Sequence, residues 1–286
     1  MGGAAELRHR GSLKGFVGSA WAYLVVAVGA TWLAWIPAAI LSGTNPDAAQ
    51  ALHYLGGMAL PVATILFVVL AGPSARSEYV ARLTRLRLGW RHWLVVAFPL
   101  VLTGFAVIVD AALGNRSASE AALQHLAAPG ELIIMVLFLM LFGPLPEEMS
   151  WRGLGLPLLR RQHGPLSATL TLAVVWCLWH LPLFWLRGSY QWSIGLLTPG
   201  FWLYFVAVLS TSFLYTWMWE TTASIPAAVL LHFAVNFSGE FFGPSFRADM
   251  IRTATYLVIA VLIAVGWTRT SLADPSDAVP LRSAST

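Results

Sequence analysis

Glu147 and Glu148 stand side by side at the end of the apolar run ELIIMVLFLMLFG, inside the stretch PLPEEMSWRG at residues 144–153. If PEEMSWRGLGLPLL is helical, Pro146 suits its first turn, where no backbone donor is needed. Glu148 and Arg152 are then four residues apart with the acid N-terminal, the better order for an ion pair. Glu147 projects about 100° around the axis from Glu148. One acid can therefore be held ionised by the arginine while the other faces a cavity, where a carboxylate suits the work of a general base. Taken alone, the three residues would equally well cap a span at a membrane interface.

Two further stretches repeat the anomaly. In AVVWCLWHLPLFW, Trp176 and His180 lie one turn apart, and Pro182 marks a bend just beyond. In SIPAAVLLHFAVNFSGE, His232 and Asn236 share one helical face. An ionisable group inside a span costs roughly 2.5–3.5 kcal/mol on insertion scales, so three polar faces are rewarded only if they converge. A buried cluster of Glu147, Glu148, Arg152, His180, His232 and Asn236 could activate water and stabilise an oxyanion. It could equally hold a divalent metal such as zinc through Glu147, His180 and His232. There is no HExxH, which excludes the usual helical zinc-protease geometry. Cys177 reads as a small buried hydrophobe. Asp110 and Glu131 fall at span ends, where a solvated interface explains them. His9, His53, His92, His125 and His163 fall in loops or at span edges and form no constellation.

The elements that must position these faces are membrane helices. Hydrophobic residues make up 58% of the chain and charged residues only 10%, with a mean hydropathy of +0.71. That leaves too little polar surface for a soluble domain, which normally carries about 25% charged residues. Eight stretches are long enough to cross a bilayer: 16–41, 51–72, 92–114, 131–148, 166–187, 194–218, 222–243 and 251–268. The fold class is therefore all-α, a polytopic membrane protein of about eight transmembrane helices around an intramembrane polar cavity. The alternation of a β-barrel is absent. The first run is too long for a signal-peptide core and reads as a retained span.

Of the 17 Lys and Arg residues, Arg116, Arg187, Arg247 and Arg252 fall on one side of this arrangement and all the others on the opposite side. The positive-inside rule then places both termini in the cytoplasm. The basic stretch SARSEYVARLTRLRLGWRH reads as a topology determinant and a short interfacial helix on anionic headgroups. The net charge of +4 belongs to this bias and not to nucleic-acid binding. A single cysteine excludes an intrachain disulfide. The chain reads as one membrane domain over 1–286, with its chemistry in a core at 130–240 and a disordered tail at 272–286. Ending the fourth span at 148 puts the acids and Arg152 near the cytoplasmic surface.

The order and spacing of EEMSWR (147–152), WCLWH (176–180) and HFAVN (232–236) resembles the CPBP (Abi) family of intramembrane proteases. Its best-known members are the type II CAAX prenyl endopeptidases. Trp176 and Trp151 stand where that family usually has Phe. The resemblance implies that Glu147 activates water with help from His180. It also implies that His232 and Asn236 stabilise the oxyanion, and that Glu148 and Arg152 shape the site. The implied activity is intramembrane endopeptidase, of glutamate or metal-dependent type. The implied partners are a peptide or lipidated protein substrate, such as a prenylated CAAX protein, and membrane lipids. The setting expected is a bacterial cytoplasmic membrane. The alternative is a non-catalytic immunity or binding protein that uses the same polar cluster. A proton-coupled transporter is a third reading, against which the chain shows no repeat symmetry.

Overall fold

The computed structural model describes residues 15–86, 88–115 and 117–273. Among them there is no strand, and eight helices or composite helices are long and apolar enough to span a bilayer. This is an all-α polytopic membrane protein. Helix α1 (Ala20–Leu41) runs back to back with α2 (Pro46–Ala71). A short helix, α3 (Pro73–Leu83), follows α2 where the sequence predicts a basic interfacial helix. Then come α4 (Trp90–Ala112), α5 (Ser117–Ala127) and a broken span made of α6 (Pro129–Phe142), α7 (Pro144–Ser150) and α8 (Leu156–Arg160). The remaining elements are α9 (Pro165–Trp179), the short α10 (Tyr190–Ile194), α11 (Pro199–Thr222), α12 (Ile225–Phe242) and α13 (Phe246–Ala273). Helix α13 carries two residues into the predicted tail; the remainder of that tail, 274–286, lies outside the described residues. So do Arg8, Arg10, Lys14, Arg87 and Arg116, which the charge count uses.

Local sequence punctuates these helices. Asn45, Thr198 and Ser224 cap α2, α11 and α12 by accepting first-turn amides, with Pro46, Pro199 and Pro226 set where a missing donor costs nothing. Helix α12 ends at Gly243, whose φ of 52° is the left-handed conformation a helix stop uses. Packing follows membrane logic, in which small residues let helices approach while large apolar ones face lipid. Ala27, Ala38, Ala63, Ala168, Ala227 and Ala228 are buried, whereas Leu33, Ile40, Val101, Ile108 and Ile134 are exposed. Gly56 leaves room for the Trp35 indole, which donates from Nε1 to the carbonyl of His53 at 2.8 Å.

Two expectations change. The fourth span does not stop at 148 but continues to Arg160. Gly143, at φ −130° and ψ −98°, breaks it ahead of Pro144, and a π-helical turn at Trp151–Gly155 links α7 to α8. Glu147 and Glu148 thus lie near the middle of the membrane-spanning element rather than at its cytoplasmic end. Asp110 is the second correction. It is fully buried rather than solvated, paired with Arg247 Nε at 2.7 Å. It also accepts from Ser245 Oγ at 2.6 Å and Asn115 Nδ2 at 2.9 Å. A carboxylate this deep is tolerable only because it is paired, and the cluster latches the end of α4 to the start of α13. Glu131 is exposed, as expected.

Candidate functional site

The structure brings the three polar faces together. Glu147 and Glu148 come from α7, His180 from the end of α9, and His232 and Asn236 from α12. The two acids take different roles, as their angular separation predicts. Glu148 is fully buried, and its Oε1 accepts from Arg152 Nη1 at 3.1 Å and from His232 Nδ1 at 2.9 Å. Arg152, also fully buried, packs against the rings of Trp176 and Tyr215, its Cζ 5.0 and 4.9 Å from their centroids. Such aromatic contacts suit a desolvated guanidinium.

Glu147 instead lines a cavity of about 570 Å³, together with His180, Pro146, Trp179 and, from α2, His53 and Gln50. Its Oε2 accepts a hydrogen bond from Trp176 Nε1 at 2.7 Å. His180 Nδ1 lies 2.9 Å from the carbonyl of Trp176. A carbonyl can only accept, so Nδ1 carries the proton and Nε2 of the neutral ring keeps the lone pair. The bond to Glu148 likewise makes His232 Nδ1 a donor and leaves Nε2 for other work. The Asn236 amide lies close to Gly143, at the break between α6 and α7. His232 and Asn236 share the α12 face predicted for them but do not line the cavity itself.

Trp176 connects all of these. Its ring meets His180 at 5.8 Å and His232 edge-on at 5.3 Å, while its N–H holds the carboxylate of Glu147. The sequence places it only one turn from His180. A Phe there would keep the ring contacts and lose the donor. Trp176→Phe is expected to fold normally and to lower kcat by about tenfold with little change in KM, a loss of about 1.4 kcal/mol in holding the carboxylate. Steady-state kinetics on a cleavable peptide check this; an unchanged kcat would show the bond to be incidental.

The residue that sequence reasoning missed is His53. It was placed at a span edge without a role, yet it lies within α2 on the cavity wall. A histidine in an otherwise apolar run was the one available signal. Cys177 is buried, with Sγ 3.8 Å from the carbonyl of Phe205, as a packing residue would be.

Among the described residues, no three His, Cys, Asp or Glu side chains are grouped to hold a metal ion.

The π-turn that carries Arg152 is held by its neighbours. Tyr79 Oη donates to the carbonyl of Met149 at 3.0 Å, Tyr23 Oη to that of Ser150 at 3.1 Å, and Arg82 Nη1 to that of Gly153 at 3.1 Å. π-Turns leave backbone groups in need of such partners and recur at functional sites. Burial pushes the Tyr79 hydroxyl up to about 12, so it remains a donor at any physiological pH. Arg82 also pairs with Glu78, and Ser224, the cap of α12, donates to the carbonyl of Arg85. Helix α3 and the linker after it therefore tie the π-turn after α7 to the start of α12. Tyr79→Phe is expected to cost about 1–3 kcal/mol, the penalty of leaving a buried carbonyl unsatisfied. A lowered thermal midpoint in detergent would show it.

Comparison with known proteins gives two similarities. The family model described as Type II CAAX prenyl endopeptidase Rce1-like matches residues 129–238, which hold all six residues of the cluster. The chain is also 26% identical over 243 residues to CAAX prenyl protease 2 of Methanococcus maripaludis, covering 82% of this chain and 88% of that one. These matches and the eight-helix architecture bear out the resemblance carried by the three motifs: the chain is similar to the CPBP family of intramembrane proteases, which includes the type II CAAX prenyl endopeptidases.

Proposed function

We propose that this protein is an intramembrane endopeptidase in which Glu147 activates water without a bound metal. The observation that carries the reading is the division of labour between adjacent acids. Glu148 is locked to Arg152 and His232, whereas Glu147 and His180 share the wall of a cavity large enough for a peptide. Water seated between them would lose a proton to Glu147 as its oxygen attacks the scissile carbonyl carbon. The resemblance gives the tetrahedral oxyanion to His232 and Asn236, which lie just behind the cavity wall beside Trp176 and Gly143, with Glu148 and Arg152 holding the His232 ring in place. Collapse would break the C–N bond, pass the proton to the leaving amine, and leave a new carboxylate. Preorganised donors in a water-poor site are the largest source of such stabilisation.

The name of the Methanococcus relative supports a prenylated protein as substrate. Purified protein in detergent, given quenched fluorescent peptides with and without an isoprenyl cysteine, tests both points. Cleavage that survives strong chelators is expected, with products located by mass spectrometry. Loss of cleavage on chelation, restored by zinc, would overturn the metal-free mechanism. Peptide binding without any cleavage would overturn the enzyme reading itself.

A further inference from the structure

A second cavity, of about 680 Å³, runs along α1, and neither Glu147 nor His180 lines it. Its long side is an apolar strip of Trp32, Ile36 and Ile40, faced by the 3₁₀ turn Leu181–Trp185 that follows α9. Ile36 and Ile40 are exposed, at 45% and 73%, as lipid-facing side chains are. Trp32 donates its indole N–H to the carbonyl of Trp179 at 3.1 Å, so its polar edge is already satisfied. The other end is polar, with Ser42, Gly43 and Thr44 from the connection after α1, and Arg187. Helix α1 has 22 residues, about 33 Å at 1.5 Å per residue, which matches a hydrocarbon core of about 30 Å. The connection after it therefore lies at the level of the lipid headgroups.

Arg187 is fixed at this end without a counter-ion. Its backbone N–H donates to Ser42 Oγ at 3.2 Å, and its Cζ lies 5.8 Å from the centroid of the Trp192 ring. Gly43 gives the guanidinium room, since a Cβ there would stand 3.2 Å from Cζ. Among the described residues no carboxylate pairs with Arg187, whereas Arg247 and Arg252 are held by Asp110 and Asp249. A guanidinium presents its donors in a planar fork that fits phosphate oxygens. An apolar strip leading from such a group along a membrane-spanning helix has the polarity of a phospholipid. No residue lining this cavity is acidic, so nothing there would hold the ammonium of a zwitterionic headgroup. Charge favours a headgroup that is negative overall.

We propose that this groove binds one anionic phospholipid, with its phosphate on Arg187 and an acyl chain along Trp32, Ile36 and Ile40. Ser42 and Arg187 also line the cavity that holds Glu147, so the bound headgroup borders that cavity. The site does not depend on the proteolytic reading, and its test needs no catalysis.

Detergent-purified full-length protein is titrated with dioleoyl phosphatidylglycerol or dioleoyl phosphatidylcholine, and bound lipid is counted by native mass spectrometry. One phosphatidylglycerol is expected to bind about fivefold or more tightly than phosphatidylcholine, the scale of a single basic residue facing an anionic lipid. Arg187→Met should abolish that preference while phosphatidylcholine still binds, which shows that the variant is folded. Gly43→Val, which crowds the guanidinium, should weaken the preference. Ala39→Trp, which fills the groove, should lower the binding of both lipids. Arg76→Met removes an equal charge from α3 and should change nothing. An equal loss in Arg76→Met would reveal a general attraction of lipid to a basic protein and overturn the site. Equal affinity of the parent for both lipids would overturn it too. So would displacement of the bound lipid by a prenylated peptide, which would give the groove to substrate.

Discussion

Glu147→Gln is expected to lower kcat by about 10²–10⁴-fold, the usual contribution of a general base, while the protein stays folded. Gln has nearly the same shape, and its carbonyl oxygen can still accept from Trp176, whose N–H lies 2.7 Å from Oε2 in the native site. What it loses is the ability to take a proton from water. No buried charge pair is broken, because the Arg152 and His232 bonds go to Glu148. Single-turnover cleavage in proteoliposomes measures the loss, and size exclusion with thermal unfolding shows whether the fold survives. KM should change little, since the side chain still lines the same wall. A variant that cuts at the native rate would remove Glu147 as the base and leave His180 as the next candidate on the cavity.

Arg152→Met should be the most destabilising single change at the site, by about 3–5 kcal/mol, the cost of breaking a buried pair and stranding its partner. Both side chains are fully buried, and Glu148 Oε2 has no protein partner to compensate. His232 would then face an unbalanced carboxylate alone. Methionine roughly fills the volume, so the effect reads charge rather than a cavity. The double variant Glu148→Gln with Arg152→Met removes both charges and should recover most of the stability. It should remain a poor enzyme, because the ring of His232 is no longer held by a carboxylate. Thermal unfolding in detergent separates these outcomes. An Arg152→Met protein as stable as the parent would mean the pair contributes nothing to the fold.

Much of this site was legible before any coordinates. The i,i+4 spacing of Glu148 and Arg152 predicted the ion pair, and the angle between successive helical residues predicted that Glu147 would face elsewhere. Both are consequences of helix geometry alone. His180 and His232 were marked by the cost of a polar group in lipid, which needs no knowledge of neighbours. The partner of His232 was not legible. Its Nδ1 bonds Glu148 across 84 residues of chain, and only the approach of α12 to α7 decides which ring nitrogen is engaged.

The sequence by itself determined a membrane protein of eight helices and marked the three polar helical faces that the fold brings together. Hydropathy, helical period and charge bias act along the chain, and each can be read locally. Only the tertiary structure decided that the fourth span, broken at Gly143, places its acids near the middle of the spanning element, because the π-turn carries it past Ser150 to Arg160. It decided the burial of Asp110, the place of His53 on the cavity wall, and the bond from Trp176 to the carboxylate of Glu147. These depend on which helices meet, and in a bilayer that is set by close packing and by polar groups finding one another across the chain, which no local pattern records.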